Sequence, residues 1–324
     1  VDLPPGTDAP DGHERSTALS FTETPLDFST PELEALALEV IPEQHFELRA
    51  EDARDSYFTD TSKLDAKQLA HDRFRTNPLA LHDHLIRALD LRSTEELLDL
   101  GCGNGEILAR IRPYLAAGHL TAFDIAPAAL EAARQRLDGV ATPCEFVEGS
   151  ADDLSAFATD SFDRIMAVYM AHYVTDLDAC FAEVRRVLRP GGRFVLATDR
   201  TDSMVEMWNT HFAALREMNA PQRLFRATPK ARISLSNGAE QLAPHFASVE
   251  RVDWHDQLQF GKAEHFMAFY RSCNHCCAGS KPGDRLPSAF FTELEERVHA
   301  HVQAAIETTG YFALTKYTGH FICS

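Results

Sequence analysis

Long hydrophobic runs are missing from this chain: no apolar stretch approaches the roughly 20 residues a membrane-spanning helix requires. Positive charge is also scarce. Thirty-one Lys and Arg stand against 49 Asp and Glu, a formal charge of −18, and the basic residues form no cluster. Such a chain repels phosphate backbones and anionic bilayers, so nucleic acid and membrane are poor partners. The seven cysteines are odd in number and scattered, which suits a reducing compartment better than a disulfide framework. The opening Val1-Asp2-Leu3-Pro4-Pro5 has neither a basic n-region nor an apolar h-region, so no signal peptide is expected. Internal repeats are absent as well. A cytoplasmic protein acting on small molecules is the expectation, with homo-oligomerisation left open.

What is present is enough apolar material for a large core, 44% of 324 residues, arranged in two rhythms. Residues 1–64 read as a partly irregular arm holding one short helix at Pro31-Glu32-Leu33-Glu34, with Thr30 as its N-cap. An amphipathic stretch from about Asp65 to Leu91 carries Leu79, Leu81, Leu85, Ile86 and Leu89 at helical spacing and reads as cap helices. Strands are then expected at Glu96–Leu100, Leu120–Asp124, Cys144–Glu148, Arg164–Val168 and Arg193–Thr198. Helices are expected between them at about Gly105–Leu115, Pro127–Leu137 and Leu177–Leu188. Alternating βα units of this length predict a parallel sheet wound on both faces. Further on, the pattern gives helices near Met204–Met218, Ala263–Arg271 and Phe290–Thr308, and strands near Ser248–Trp254 and within Gly310–Cys323.

Five features mark chemistry, in order along the chain. The first is the apolar run Glu96-Leu97-Leu98-Asp99-Leu100 ending in Gly101-Cys102-Gly103-Asn104-Gly105. Without Cβ atoms such a turn can adopt φ > 0 and approach a ligand closely, ahead of a helix N-terminus. Position 106 is Glu, so the dinucleotide fingerprint Gly-x-Gly-x-x-Gly is not met. The second is Asp124, 23 residues after Gly101, a carboxylate at a strand tip where ribose hydroxyls can be bound. The third is Gly149-Ser150-Ala151-Asp152-Asp153, with room for an adenine and an acid to accept from its amine. Ser161-Phe162-Asp163-Arg164-Ile165 leads into the fourth strand, and Leu188-Arg189-Pro190-Gly191-Gly192 turns into the fifth.

This order and spacing resemble the class I S-adenosylmethionine (SAM) methyltransferases, in particular the ubiquinone/menaquinone-biosynthesis type and its small-molecule relatives. The likeness covers about residues 70–200. It implies a Rossmann-like α/β fold with a mostly parallel seven-stranded sheet, its last strand antiparallel. The rest of 65–324 would add insertions at 204–245 and 258–309. It further implies that Gly101, Cys102 and Gly103 hold the methionine portion of SAM, that Asp124 binds ribose and that Ile125 packs on adenine. Ala151 and Asp152 would complete the adenine site, with Val168 at the tip of strand four. Ser150 departs from the family, where many members have Asp.

The same resemblance narrows the methyl acceptor. The Asn/Asp-Pro-Pro-Tyr/Phe of amino-group methyltransferases is replaced by Val168-Tyr169-Met170-Ala171-His172-Tyr173. The acids of metal-dependent catechol enzymes are missing after strand four, and Asp199 is followed by Arg200 rather than Asn. The cytosine-C5 type, with its Pro-Cys nucleophile, is set aside. What remains is transfer to an O, N or C atom of a small neutral or cationic molecule, with bacterial specialised metabolism as the setting. A SAM-binding protein that does not methylate (sensor, scaffold or SAM-assisted cyclase) stays open. His172, after strand four, is the candidate base, with Tyr169 and Tyr173 as gate or donor. Tyr57, Phe58, Trp208, His211 and Phe225 are candidates for an aromatic acceptor wall, and each could equally be core. No metal is expected: Cys273-Asn274-His275-Cys276-Cys277 lacks a second Cys/His pair at zinc spacing.

Overall fold

The computed structural model of the protein describes residues 54, 58–139, 142–220, 224–225, 232–273 and 288–324. The helix expected at 31–34 and most of the 273–277 cysteine cluster lie outside them. Two helices, α1 (Ser62–Phe74) and α2 (Leu81–Leu89), precede the sheet. The alternating part follows as β1 (Glu96–Leu100), α3 (Glu106–Ile111), β2 (His119–Asp124), α4 (Pro127–Arg136), β3 (Cys144–Glu148), β4 (Phe162–Val168), α5 (Leu177–Val187) and β5 (Leu188–Asp199). Then come α6 (Val205–Glu217), α7 (Gly238–Leu242), β6 (Val249–Phe260), α8 (Ala263–Arg271), α9 (Ser288–Thr309) and β7 (Phe312–Cys323). Among the described residues no helix is long and apolar enough to cross a membrane.

The seven strands lie in the order β3-β2-β1-β4-β5-β7-β6. Strands β1 to β5 pair in parallel, and β7 runs antiparallel to both β5 and β6. The last strand is therefore the reversed one, as expected. Central strands have to be apolar on both faces when helices cover both sides. Leu97 and Leu98 point to opposite faces and both are fully buried. One face packs against α5 through Phe181, Val184 and Val187; the other packs against α2, α3 and α4 through Leu85, Leu89, Leu108 and Leu130.

Two features beyond the sequence reading shape the site. The helical 65–91 stretch is interrupted between α1 and α2, where Pro78 cannot donate to a helix and pushes its predecessor into extended backbone. Asp256 holds that interruption: its Oδ1 accepts from Thr76 N at 3.0 Å, Asn77 N at 2.8 Å and Gln257 N at 2.8 Å. Second, β6 continues past Trp254 to Phe260, pairing along its whole length with β7. Only Thr318–Cys323 of β7 reach β5, so Phe312–Tyr317 project past the sheet with β6 as their strand partner. A third apolar core gathers round this overhang, with Leu258, Phe260, Phe266, Tyr270, Val298 and Leu314 inside it.

Candidate functional site

In a parallel sheet with helices on both faces, ligands bind at the carboxyl ends of the strands, where the loops diverge. Here the first loop is Gly101–Gly105. Gly101, Gly103 and Gly105 have φ of +81°, +54° and +73°, a region costly for residues with a Cβ. Space is equally limiting: a Cβ on Gly101 would lie 2.7 Å from Met170 Cβ. Gly101→Ala is expected to lower stability by about 2–4 kcal/mol, from left-handed strain plus overpacking. A urea unfolding midpoint indistinguishable from wild type would refute that account.

The loop is tied down from two sides. Gly101 N and Cys102 N both donate to Phe123 O, at 2.8 and 3.0 Å. Asp124 then bridges two loops, Oδ2 accepting from Gly103 N at 2.9 Å and Oδ1 from Ala126 N at 2.9 Å. From above, Asn104 Nδ2 donates to Asp65 Oδ1 at 2.6 Å and to Gln68 Oε1 at 2.8 Å, while Gln68 Nε2 donates back to Asn104 Oδ1. Helix α1 thus clamps the glycine turn. No motif announces this clamp, because Gln68 and Asn104 are 36 residues apart.

Asp99, wholly buried beneath the turn, has its carboxyl raised well above the usual range by burial and by the charge of Asp124. Burial raises Asp124 too, against the pull of the backbone N–H groups of Ala126, Gly103 and Ile125. Two desolvated carboxylates side by side favour a ligand that brings positive charge. The Cys102 thiol is pushed well up by burial and by these acids, and stays protonated.

On the β3 side, Asp152 Oδ1 accepts from Thr175 N at 2.7 Å and Asp176 N at 3.1 Å, and Oδ2 accepts from Ser150 Oγ at 3.1 Å. Ser150, the departure from the family pattern, therefore supports Asp152. At the tip of β4, Tyr169 has a φ of +55°, unusual for a bulky residue. Its hydroxyl meets Thr318 Oγ1 at 2.6 Å. Burial and Asp199 hold that phenol well above its ordinary range, so it is neutral and cannot act as a base. His172 follows in a 3-10 turn, its ring 4.2 Å from that of Tyr173.

All nine residues singled out in the sequence, Gly101, Cys102, Gly103, Asp124, Ile125, Ala151, Asp152, Val168 and His172, line one cavity of about 410 Å³. Of the aromatic candidates, Phe58, Trp208 and His211 line it too. Phe225 stands behind the wall, stacked on Phe212 at 5.7 Å, and Tyr57 is outside the described residues. His211 is buried against Tyr270, Nδ1 to Oη 2.6 Å, and burial pushes its imidazole down to about 4. A Pro-Cys pair does occur in the chain, at Pro143-Cys144. It begins β3, at the amino end of the sheet and away from the cavity, with its thiol raised to about 11 by burial; it is no nucleophile for this site.

The cavity has a second half that the sequence gives no reason to assemble. Met204, Met207, Trp208, Phe212 and Phe269 form an apolar wall, and Asp256, Lys316 and His71 stand among the lining residues. These last come from β6, β7 and α1.

Residues 98–196 match a family described as a methyltransferase domain. Over that stretch the chain resembles methyltransferases. Among curated proteins, a sterol 4-C-methyltransferase of Caenorhabditis elegans is 32% identical over 119 residues, 36% of this chain and 35% of the relative. A ubiquinone biosynthesis O-methyltransferase of Xanthomonas oryzae is 34% identical over 125 residues, 38% of this chain and 49% of the relative. The chain thus spans half or less of these relatives' length. Among solved structures, the YcgJ protein of Bacillus subtilis superposes with a TM-score of 0.50 at 21% identity, over 74% of this chain and 96% of that one. The [4+2]-cyclase SpnF gives 0.51 at 16% identity, over 85% and 97%. The structures establish the fold and leave the chemistry to be argued from the site.

Proposed function

We propose that this chain transfers a methyl group from SAM to an O, N or C atom of a small-molecule acceptor. The observation that carries this reading is the Asp124 bridge: one buried carboxylate fixes the glycine turn of β1 and the loop after β2 while facing the cavity. Its oxygens accept from the backbone N–H groups of Gly103 and Ala126 at 2.9 Å each, with Ile125 N–H also directed at the carboxylate, and a carboxylate has about four acceptor positions. Acceptor capacity therefore remains for ribose hydroxyls. Asp99 and Asp124 together suit the ammonium and sulfonium charges of SAM. The residues present fit the cofactor.

SAM supplies an electrophilic methyl carbon bound to sulfur. The chain's own part is alignment and proton removal. The Gly101–Gly103 turn holds one end, Ile125, Ala151 and Asp152 the adenine end, and Val168 forms the floor between them. His172 takes the proton from an O–H or N–H acceptor. Both tryptophans of the chain, Trp208 and Trp254, line the cavity, so its occupancy should alter the intrinsic fluorescence.

Calorimetric titration with SAM, S-adenosylhomocysteine (SAH) and NADH tests the cofactor. Micromolar binding of the first two and no heat from NADH are expected; the reverse would end the proposal. SAH release in an acceptor screen then separates turnover from mere binding. With a hydroxyl or amine acceptor, His172→Ala is expected to lower kcat by about 100-fold and leave SAH affinity unchanged. An unaltered kcat would remove His172 from the chemistry.

A further inference from the structure

Strand β6 ends the sheet: β7 lies on one side of it, and among the described residues no strand lies on the other. Which of its backbone groups face outward follows from the pairing. Ser248 and Ser324 exchange both backbone hydrogen bonds, at 3.0 and 3.1 Å, so the even-numbered residues of β6 bond to β7 and the odd-numbered ones point away. Two of the odd residues are already used, His255 O by Asn77 Nδ2 at 2.9 Å and Gln257 O by Thr76 N at 3.0 Å. The connection between α1 and α2 therefore closes the edge from His255 onward. Ahead of it, Arg251 and Asp253 direct their N–H and C=O groups out of the sheet, without a partner among the described residues. Both are exposed, and so is Glu250.

An open edge of this kind is a template for another strand, and charge on the edge guards against indiscriminate pairing. The charges here are more selective than a guard. Each copy carries a formal charge of −18, so two copies repel over most of their surface, and contact is least opposed where the signs alternate. Along Glu250-Arg251-Val252-Asp253 they do. In an antiparallel ladder between two copies, outward-facing residues must oppose outward-facing residues, so the two-fold axis passes through a residue that meets its own copy. Of these four, only Val252 can sit there without setting like charges together, which is unfavourable. With Val252 on the axis, Arg251 of each copy lies opposite Asp253 of the other. On the other face Glu250 meets Trp254 and not another acid. Within one strand Arg251 already reaches Asp253 Oδ1 through Nη2 at 2.7 Å and Nε at 3.1 Å, with the side chains 38% and 40% exposed. Pairing joins two such couples into a square of alternating sign.

We infer that the protein forms a two-fold symmetric homodimer through the outer edges of β6, antiparallel and centred on Val252, so that the sheets of two copies become one. Arg251 and Asp253 set the register, because the same two charges that complete this alignment oppose its neighbours. The ladder supplies about four backbone hydrogen bonds. The contact is short and polar, so the dimer is a weak one, half-formed at on the order of 10–100 µM. It holds whatever the cavity binds.

Sedimentation equilibrium of the full chain, from about 1 to 300 µM, tests this. A reversible monomer–dimer equilibrium is expected in wild type. Arg251→Asp places like charges at both cross-strand pairs and should raise the dissociation constant at least about 10-fold. Adding Asp253→Arg to it restores the pairs with their signs exchanged, and this double variant should return to within about 3-fold of wild type. Amide exchange at Arg251 and Asp253 should slow as wild-type concentration rises. A chain that stays monomeric throughout overturns the proposal; if its Arg251 and Asp253 amides are protected all the same, another segment of the chain covers that edge. A dimer indifferent to Arg251→Asp overturns it too, because the contact then lies elsewhere. Should Arg251→Asp fail to fold, as circular dichroism would show, the concentration dependence of the two wild-type amides decides.

Discussion

Asp124→Ala is expected to weaken SAM binding by about 100-fold. Two losses combine. The ribose hydroxyls lose an ionised acceptor, and Gly103 N and Ala126 N lose the oxygens they donate to, at 2.9 Å each. A hydrogen bond to a charged group contributes about 1.5–3 kcal/mol, so removing two from the ligand gives roughly 3 kcal/mol, or two decades in Kd. Asp124→Asn separates the terms, since the amide can still accept from one loop N–H while its NH2 group opposes the other. Its affinity should fall between wild type and alanine. Calorimetry with SAH checks both variants. An Asp124→Ala protein that binds within about 3-fold of wild type would show that the strand-two acid does not hold the nucleoside.

The second large effect is on stability against pH, and it is the difference between opposing titrations. Burial pushes the imidazole of His211 down to about 4, and burial with the neighbouring His84 does the same for His320. Unfolded, each titrates near 6.5, so from pH 6.5 to 4 the unfolded chain binds more protons than the native one. Their stabilisation is complete above 6.5 and is lost as pH falls, on the order of 3 kcal/mol each by pH 4. Asp99 works in the other direction. Its carboxyl is raised in the fold, so the native state binds the extra proton and gains stability as pH falls towards the unfolded value of 3.8. Asp99→Asn removes that counterweight. The variant should be more stable than wild type at pH 7.5, with a gap that narrows towards pH 4, and its own stability should fall more steeply over that range. Urea midpoints at pH 7.5, 6 and 5 measure this. A variant no more stable than wild type at pH 7.5 would contradict the burial argument. Because Asp99 also lines the cavity proposed to hold SAM, the same variant should bind SAM more weakly.

The parallel half of the fold was legible because its information is local. A buried strand such as Leu97–Leu100 is apolar on both faces, and the turn that follows announces itself by glycine. The cavity-lining residues Gly101, Gly103, Asp124 and Val168 were legible for the same reason, each lying within a few positions of a strand end. The overhang was not. Beyond Trp254, β6 reads His255-Asp256-Gln257-Leu258-Gln259, which looks like a solvated segment. Only its pairing with β7 and the helices around it make Asp256 an interior residue. His71 and Lys316 meet across 245 positions, and nothing in either neighbourhood foretells the other. The break at Pro78 could have been inferred from proline alone; that Asp256 holds it could not.

The projecting half of β7 bears on how such an enzyme could change its diet. Thr318 touches the Tyr169 hydroxyl at the tip of β4, while Lys316, one side-chain position further along the same face, lines the far side of the cavity. Everything from there to Phe312, with α6, α8 and α9, hangs on the overhang rather than on β1 to β4. Residues in this appendage can be exchanged without disturbing the strands that carry the glycine turn and Asp124. Lineages, or laboratories, seeking a new acceptor would find their freedom there, with Thr318 as the junction to be preserved.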